Sequence, residues 1–188
     1  MAQLSTLRHS TAHVMAAAVK ELFPKARLGI GPATEDGFYY DFDNLNIKTD
    51  DLEKIEHKMN EIITGNHSFK RVKVTRKEAE KLFKNEKYKL KILNEIPKSA
   101  ELTVYYTGKF YDLCEGPHVK STDEIKAFKL LKIAGAYWKG DSKNKMLTRI
   151  YGTAFDTKEE LSSRINEEIF LNCLFDIFPS HLIIYNIN

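Results

Sequence analysis

Apolar residues that recur every three or four positions predict two amphipathic helices in the first third of the chain. The first covers STLRHSTAHVMAAAVKELFP, where Ser5 or Thr6 is placed to cap the helix and Pro24 to end it. The second covers DDLEKIEHKMNEIITGN, where Asp50 and Glu53 have the spacing of a capping box. We therefore expect these helices to bury one face each against the rest of the protein.

Alternation of apolar and polar residues predicts strands in most of the remaining chain. The segments concerned are FYYDF, RVKV, KYKLKIL, LTVYYTGKFYDLC, AFKLLKI and MLTRIYGTAF. In KYKLKIL the alternation puts Tyr88, Leu90 and Ile92 on one face of a strand and leaves Lys89 on the solvated face. LTVYYTGKFYDLC is typical of a hairpin with Cys114 at the far end of its second strand.

The predicted helices and strands do not alternate as regular βαβ units. Two further short helices are predicted where Thr75 and Thr157 each precede a glutamate by three residues. This order favours an α+β fold with a mainly antiparallel sheet packed with helices. We assign residues 1–164 to a single domain.

Residues 165–188 form an atypical C-terminal tail, because they contain no Lys or Arg although the preceding chain is rich in both. The tail is expected to be either a terminal extension or the product of a truncated or frame-shifted reading frame, and the sequence leaves both open. Asp176, Pro179 and His181 interrupt its apolar run, so a membrane-spanning helix is not predicted.

Composition narrows the class of partner and the compartment. The formal net charge is +3, with basic stretches at 70–98 and 120–149. Such stretches suit a polyanion such as nucleic acid, or form an ordinary solvated face. Cys114 and Cys173 are the only two cysteines and have no disulfide-like spacing, which together with the absence of a signal peptide favours the cytoplasm.

Two pairs of side chains with the same spacing are the main candidates for chemistry. His9 and His13 lie one helical turn apart, and Cys114 and His118 flank a Gly-Pro turn. Three imidazoles and one thiol suit tetrahedral zinc. Without metal, the same groups and a lysine can hold an ester and polarise the water that attacks it. The histidines can also simply satisfy buried polar groups, and spacing alone does not choose among these interpretations.

Neighbouring residues add to this candidate site. Asp112 precedes Cys114 by two positions on the predicted strand, so both side chains should share a face. Of Tyr39 and Tyr40, one should point inward with a hydroxyl that needs a partner. His57 lies on the charged side of its helix and is interpreted as solvated surface.

Four segments together resemble the N-terminal editing domain of bacterial-type threonyl-tRNA synthetases. They are RHSTAHVMAAAVKELFP, GIGPATEDGFYYDFD, DLCEGPHV and FKLLKIAGAYWKGDSKNKMLTRIYGTAF, collinear from about Leu7 to about Leu161. The related alanyl-tRNA editing domains are less similar, since they usually have CGGTH where this chain has CEGPH.

The resemblance implies a hydrolase that removes serine mistakenly attached to threonine tRNA. Such editing is needed because a missing methyl group changes binding by only about 1 to 3 kcal/mol. The implied partners are this tRNA and a separate threonyl-tRNA synthetase. The family's catalytic and substrate-binding positions correspond to His9, His13, Tyr40, Lys89, Asp112, Cys114 and His118.

The resemblance also implies roles for these residues. Lys89 with His13 or His9 would hold the attacking water, and Asp112 would recognise the amino group of the substrate or orient a neighbour. Cys114 and His118 would shape the serine pocket. The threonyl branch implies a pocket without a cofactor, and zinc on His9, His13, Cys114 and His118 is the alternative, as in the alanyl branch.

The sequence leaves three functional hypotheses. No ubiquitin-like module is expected before the first helix, and no class II synthetase motif is present in these residues. The chain is thus expected to be a freestanding or excised editing hydrolase. The alternatives are a non-catalytic module that binds tRNA or a synthetase, and a non-functional truncated synthetase fragment.

Overall fold

The computed structural model describes the backbone of residues 4–177 and the side chains of residues 4–167. The described helices are α1 (Leu4–Leu22), α2 (Asp51–Thr64), α3 (Arg76–Leu82), α4 (Lys87–Glu95) and α5 (Lys158–Ile177). The described strands are β1 (Arg27–Leu28), β2 (Phe38–Asp43), β3 (Phe69–Val74), β4 (Leu102–Thr107), β5 (Phe110–Leu113), β6 (Ala127–Tyr137) and β7 (Met146–Phe155). The predicted α+β class is confirmed.

The strands form two antiparallel sheets. The larger sheet has the order β1-β2-β7-β6 and the smaller has the order β3-β4-β5. The predicted hairpin is formed by β4 and β5, which are joined by Gly108 and Lys109, and it places Cys114 directly after β5. Every pairing between the described strands is antiparallel.

Helix α1 is the centre of the main hydrophobic core. It contacts α2, strands β2 and β7 of the larger sheet, and strand β5 of the smaller sheet. Val14, Met15 and Val19 of α1 are fully buried, together with Phe38 and Phe42 from β2. Because α1 meets both sheets, polar side chains on its first turns can face residues that follow β5.

The strand predicted for KYKLKIL is wrong, because this segment forms helix α4. Tyr88, Lys89 and Leu93 are buried and Ile92 is half-buried, which is the spacing of one helical face. Alternating Lys with apolar residues fits a strand as well as it fits the first turn of a helix, so local pattern could not decide. The difference moves Lys89 from the predicted solvated face to the interior, where only 3% of its surface is exposed.

The predicted caps have mixed outcomes. Thr75 and Glu78 form the predicted capping box at the start of α3. Asp50 makes no capping bond to α2, because its backbone is already helical; Asp51 accepts the Lys48 N–H instead. Ser5, one of the two caps proposed for the first helix, lies inside α1, since that helix already includes Leu4.

The C-terminal part of the chain bears on two predictions. No helix within residues 4–177 is long and apolar enough to cross a membrane. Helix α5 continues through position 165, where the atypical tail was predicted to begin. The division into residues 1–164 and 165–188 stays a prediction, and the part of the tail at 178–188 lies outside the described residues.

Candidate functional site

Two structural elements bring the predicted histidine and cysteine pairs together. His9 and His13 lie one turn apart on α1, and Cys114 and His118 lie in the segment that follows β5. One nitrogen or sulfur atom from each of these four side chains lies within 4.8 Å of the other three. The two pairs therefore form a single cluster.

Cys114 is the centre of this cluster. Its Sγ lies 3.4 Å from His9 Nε2 and 3.3 Å from His118 Nε2. The Gly116 N–H donates to the same sulfur at 3.3 Å. The backbone of Cys114 is held in turn by Thr103, whose carbonyl accepts the Cys114 N–H and whose hydroxyl donates to the Cys114 carbonyl. The thiol is thus fixed facing two imidazoles.

Ser10 sets the orientation and tautomer of His118. The Ser10 hydroxyl has one hydrogen, and it donates this hydrogen to the Thr6 carbonyl, its shortest contact at 2.8 Å. The Ser10 oxygen therefore accepts hydrogen bonds from the Val119 N–H at 3.0 Å and from His118 Nδ1 at 3.1 Å. His118 Nδ1 therefore carries a hydrogen, and Nε2 presents its lone pair to Cys114.

Aromatic rings hold the His118 imidazole from the other directions. The Phe69 ring is stacked on it, with 7° between the planes and 4.9 Å between the centroids. Tyr105 meets it edge to face at 4.5 Å. Gly116 has a φ of 81°, and a Cβ there would collide with the Tyr105 hydroxyl. The Gly-Pro turn is thus shaped to pass close to Tyr105.

A second, fully buried layer lies behind the cluster. Lys89 Nζ lies 2.7 Å from Asp112 Oδ1, and the Tyr40 hydroxyl donates to Asp112 Oδ2 at 2.6 Å. The Leu113 N–H also donates to Asp112 Oδ1, at 2.8 Å. Asp112 therefore has a cation and two hydrogen-bond donors, which is what a buried carboxylate requires.

His13 connects the two layers. Its Nε2 lies 4.0 Å from Asp112 Oδ2, and its ring meets the His118 ring at 4.2 Å between centroids. Only 2% of His13 is exposed, and its Nδ1 has no hydrogen-bond partner within the described part of the chain. A buried ring nitrogen without a partner is uncommon in a structural role. The hydrogen-bonding capacity of His13 Nδ1 is therefore unused by the described residues.

Burial favours the neutral forms of the three imidazoles and of the thiol in this site. It lowers the pKa of His9, of His13 and of His118, and for His118 the neighbouring imidazoles lower the pKa further. Burial also raises the pKa of the Cys114 thiol to about 12. The thiol is consequently protonated near neutral pH, which disfavours it as a nucleophile.

The donor set also fits a zinc ion. Three imidazole nitrogens and one sulfur are ligands that zinc prefers, and a tetrahedral site needs about 3.5 Å between adjacent ligand atoms. The two sulfur-to-nitrogen distances of 3.3 and 3.4 Å are close to that value. Zinc would be held by His9, His13, Cys114 and His118.

The structure brings together all seven predicted site residues: His9, His13, Tyr40, Lys89, Asp112, Cys114 and His118. Tyr40 is the inward member of the tyrosine pair. Tyr39 is half-buried, with the Arg149 guanidinium 3.7 Å from the centroid of its ring. The His57 side chain is 79% exposed, as predicted.

Sequence reasoning missed the residues that hold the site in place. Ser10 stands between His9 and His13 in the sequence HSTAH, and that position is the only local signal for it. Phe69 and Tyr105 lie on β3 and β4, and the local sequence of these strands carries no signal for contact with His118. Gly31 lies against the Tyr40 ring so closely that a Cβ would collide with it.

Comparison with known proteins gives consistent matches. Residues 102–151 match the family described as the threonyl and alanyl tRNA synthetase second additional domain. The chain is 53% identical over 163 residues to the threonine–tRNA ligases of Staphylococcus aureus strains JH9, Newman and JH1. Each alignment covers 86% of this chain and 25% of the relative. The chain thus spans about a quarter of the length of these relatives.

Proposed function

The chain belongs to the threonyl and alanyl tRNA synthetase second additional domain family, and we propose that it is an aminoacyl-tRNA deacylase acting on serine mischarged on threonine tRNA. The observation that carries this proposal is the two-layered site. Two neutral imidazoles and a thiol, all half-buried, stand over a third imidazole and an ion pair between Lys89 and Asp112, which are fully buried. Such a site offers proton acceptors and a fixed positive charge to an ester.

The reaction is hydrolysis of the ester between the amino acid and the terminal ribose. A neutral imidazole, His13 or His9, takes a proton from water as the water oxygen bonds to the ester carbonyl carbon. The carbonyl oxygen becomes negatively charged in this step, and the Lys89 ammonium is the buried cation available to stabilise it. The ester C–O bond then breaks, and the imidazolium returns the proton to the ribose oxygen.

Substrate recognition falls to the remaining groups. The amino group of seryl-tRNA is a cation, and Asp112 is the carboxylate of the buried layer. Cys114 and His118 form a wall around the substrate side chain, because both are held rigidly. A pocket sized for serine would exclude the additional methyl group of threonine, which would clash with these fixed side chains.

We further propose that this chemistry proceeds without a metal. In that state the Cys114 thiol donates its one hydrogen to one of the two Nε2 atoms, and Lys89 supplies the positive charge. In the alternative state, zinc bound by the same four side chains would supply Lewis-acid polarisation of the carbonyl. The proposed partners are tRNA and a threonyl-tRNA synthetase that provides the mischarged substrate, and the proposed compartment is the cytoplasm.

Deacylation of three charged tRNAs tests the function. Seryl-, threonyl- and alanyl-tRNA carrying the threonine anticodon are incubated with the protein, and the ester remaining is followed over time. We expect serine to be released fastest and the Cys114→Ala/His118→Ala variant to be inactive. His57→Gln is the matched control, because the His57 side chain is exposed.

Two results would contradict the proposal. One is that no charged tRNA is hydrolysed above the rate without protein. The other is that the Cys114→Ala/His118→Ala variant is as active as the unaltered chain. Salt-dependent binding of tRNA without turnover would favour a non-catalytic tRNA-binding module instead.

A further inference from the structure

We infer that Glu86 is a positioning residue that fixes Lys89 in the site. Glu86 touches none of the groups to which catalysis is assigned above, and it stands immediately before α4, the helix that carries Lys89. Its carboxylate connects three structural elements through two hydrogen bonds. Its side chain is only 12% exposed, so these bonds are shielded from water.

The first of these bonds closes the open edge of the larger sheet. Strand β1 is at the edge, and the Gly29 N–H bonds to the Asp41 carbonyl of the neighbouring chain segment. Successive N–H groups of a strand point to opposite sides, so the Leu28 N–H points away from β2. Glu86 Oε2 accepts this hydrogen at 2.8 Å. The carboxylate thus attaches the start of α4 to β1.

The second bond attaches α4 to α1. Lys20 Nζ lies 2.8 Å from Glu86 Oε1 and also donates to the Ala26 carbonyl at 2.8 Å. Lys20 belongs to the same helix as His9 and His13. Glu86 consequently links the helix that carries the imidazoles to the helix that carries the buried ammonium.

A neighbouring set of contacts strengthens the same attachment. Asp43 of β2 pairs with Lys87 Nζ at 2.6 Å and accepts from the Tyr88 hydroxyl at 3.1 Å. Residues 86, 87 and 88 are therefore all held against the larger sheet, directly before Lys89. A lysine side chain has many rotamers, and reaching Asp112 at 2.7 Å requires that its backbone be fixed.

Chemical labelling of lysines tests this inference without any need for catalysis. The protein is treated briefly with an amine-acetylating reagent, and acetylation of Lys89 and the exposed Lys91 is measured by peptide mass spectrometry. In the unaltered chain Lys89 should react far more slowly than Lys91. Glu86→Ala should raise the acetylation rate of Lys89 about tenfold, which is the size of effect expected from the loss of a hydrogen bond to a charged group. Glu95→Gln, at the exposed end of the same helix, should leave it unchanged.

Deacylation supplies a second readout, which rests on the proposed function. If Glu86 acts through Lys89, Glu86→Ala should lower kcat about tenfold in the unaltered chain and have no further effect in Lys89→Met. Glu86→Gln retains an oxygen for the Leu28 N–H, so it should show an intermediate effect on both readouts. It also provides the test if the alanine variant fails to fold.

The possible results separate the two proposals. Increased Lys89 acetylation in an inactive protein would support the positioning role and reject the deacylase. Unchanged Lys89 acetylation in Glu86→Ala and Glu86→Gln would overturn the positioning role. An equal loss of kcat in the unaltered and Lys89→Met backgrounds would overturn it as well, because Glu86 would then act by another route.

Discussion

The ammonium of Lys89 lies 2.7 Å from Oδ1 of Asp112, with 3% and 2% of the two side chains exposed. Lysine and aspartate are seldom buried so completely unless they are paired. This pair also lies directly behind the imidazole cluster, since Asp112 Oδ2 is 4.0 Å from His13 Nε2. The site therefore depends on an ion pair that also affects the stability of the protein.

Removing the cation of this pair should be costly. Lys89→Met leaves the Asp112 carboxylate buried without its ammonium partner, and we expect a loss of about 3 to 5 kcal/mol in the free energy of unfolding. Urea denaturation measures this loss. Lys91→Met, on an exposed position of the same helix, is the control and should change stability by less than about 1 kcal/mol. The double variant Lys89→Met/Asp112→Asn should recover most of the loss, and failure to recover would contradict a charge-based origin.

Some residues of this site are predictable from the sequence, and others are not. His9 and His13 are predictable as neighbours, because one helix fixes their separation. Cys114 and His118 are predictable as close, because a strand end followed by a Gly-Pro turn brings nearby residues together. These inferences need only local geometry, and the structure bears them out.

Lys89 shows why the remainder is not predictable in the same way. Its segment alternates lysine with apolar residues, and Glu86 and Asp43 hold the start of the observed helix against the larger sheet. Those contacts join residues more than 40 positions apart, for example Tyr88 and Asp43. Local pattern contains no information about such pairs. In the sequence, Lys89 was recognisable as a site residue through the family resemblance alone.

The thiol of Cys114 should be unreactive near neutral pH. Burial raises its pKa to about 12, so the thiolate that reacts with alkylating reagents is scarce. We expect the alkylation rate by iodoacetamide, measured at the Cys114 peptide by mass spectrometry, to keep rising above pH 9. Glutathione, an exposed thiol, levels off there and is the reference. Rapid alkylation of Cys114 at pH 7 would contradict the neutral thiol.

Acid should destabilise the fold through the histidine cluster. The pKa of His9, His13 and His118 is lowered by burial, so the unfolded chain binds more protons than the folded chain below about pH 6.5. The stabilisation is present above that pH and is lost as the pH falls. We expect the Tm of chelator-treated protein to fall from pH 7.5 to pH 5. His13→Asn should flatten this dependence and His57→Gln should not; an unchanged slope in His13→Asn would contradict the assignment.

Ser10 should control both stability and the tautomer of His118. Ser10→Ala leaves the buried Val119 N–H without its acceptor, which should cost about 1 to 3 kcal/mol. It also removes the acceptor for His118 Nδ1–H, so we expect nitrogen NMR shifts to report a mixture of tautomers where the unaltered chain has one. The exposed Ser5→Ala is the matched control. A single unchanged tautomer in Ser10→Ala would show that other contacts fix the ring.

Removing metal should leave deacylation unchanged. The proposed reaction needs a proton acceptor and a positive charge, and the imidazoles and the buried Lys89 ammonium provide both without a metal. We therefore expect elemental analysis of protein purified without chelator to find well below one zinc per chain, and dialysis against EDTA to leave the rate of seryl-tRNA hydrolysis unchanged. Stoichiometric zinc that is lost in Cys114→Ala, with activity restored to the chelated chain by added zinc, would establish the metal-dependent alternative on the same four side chains.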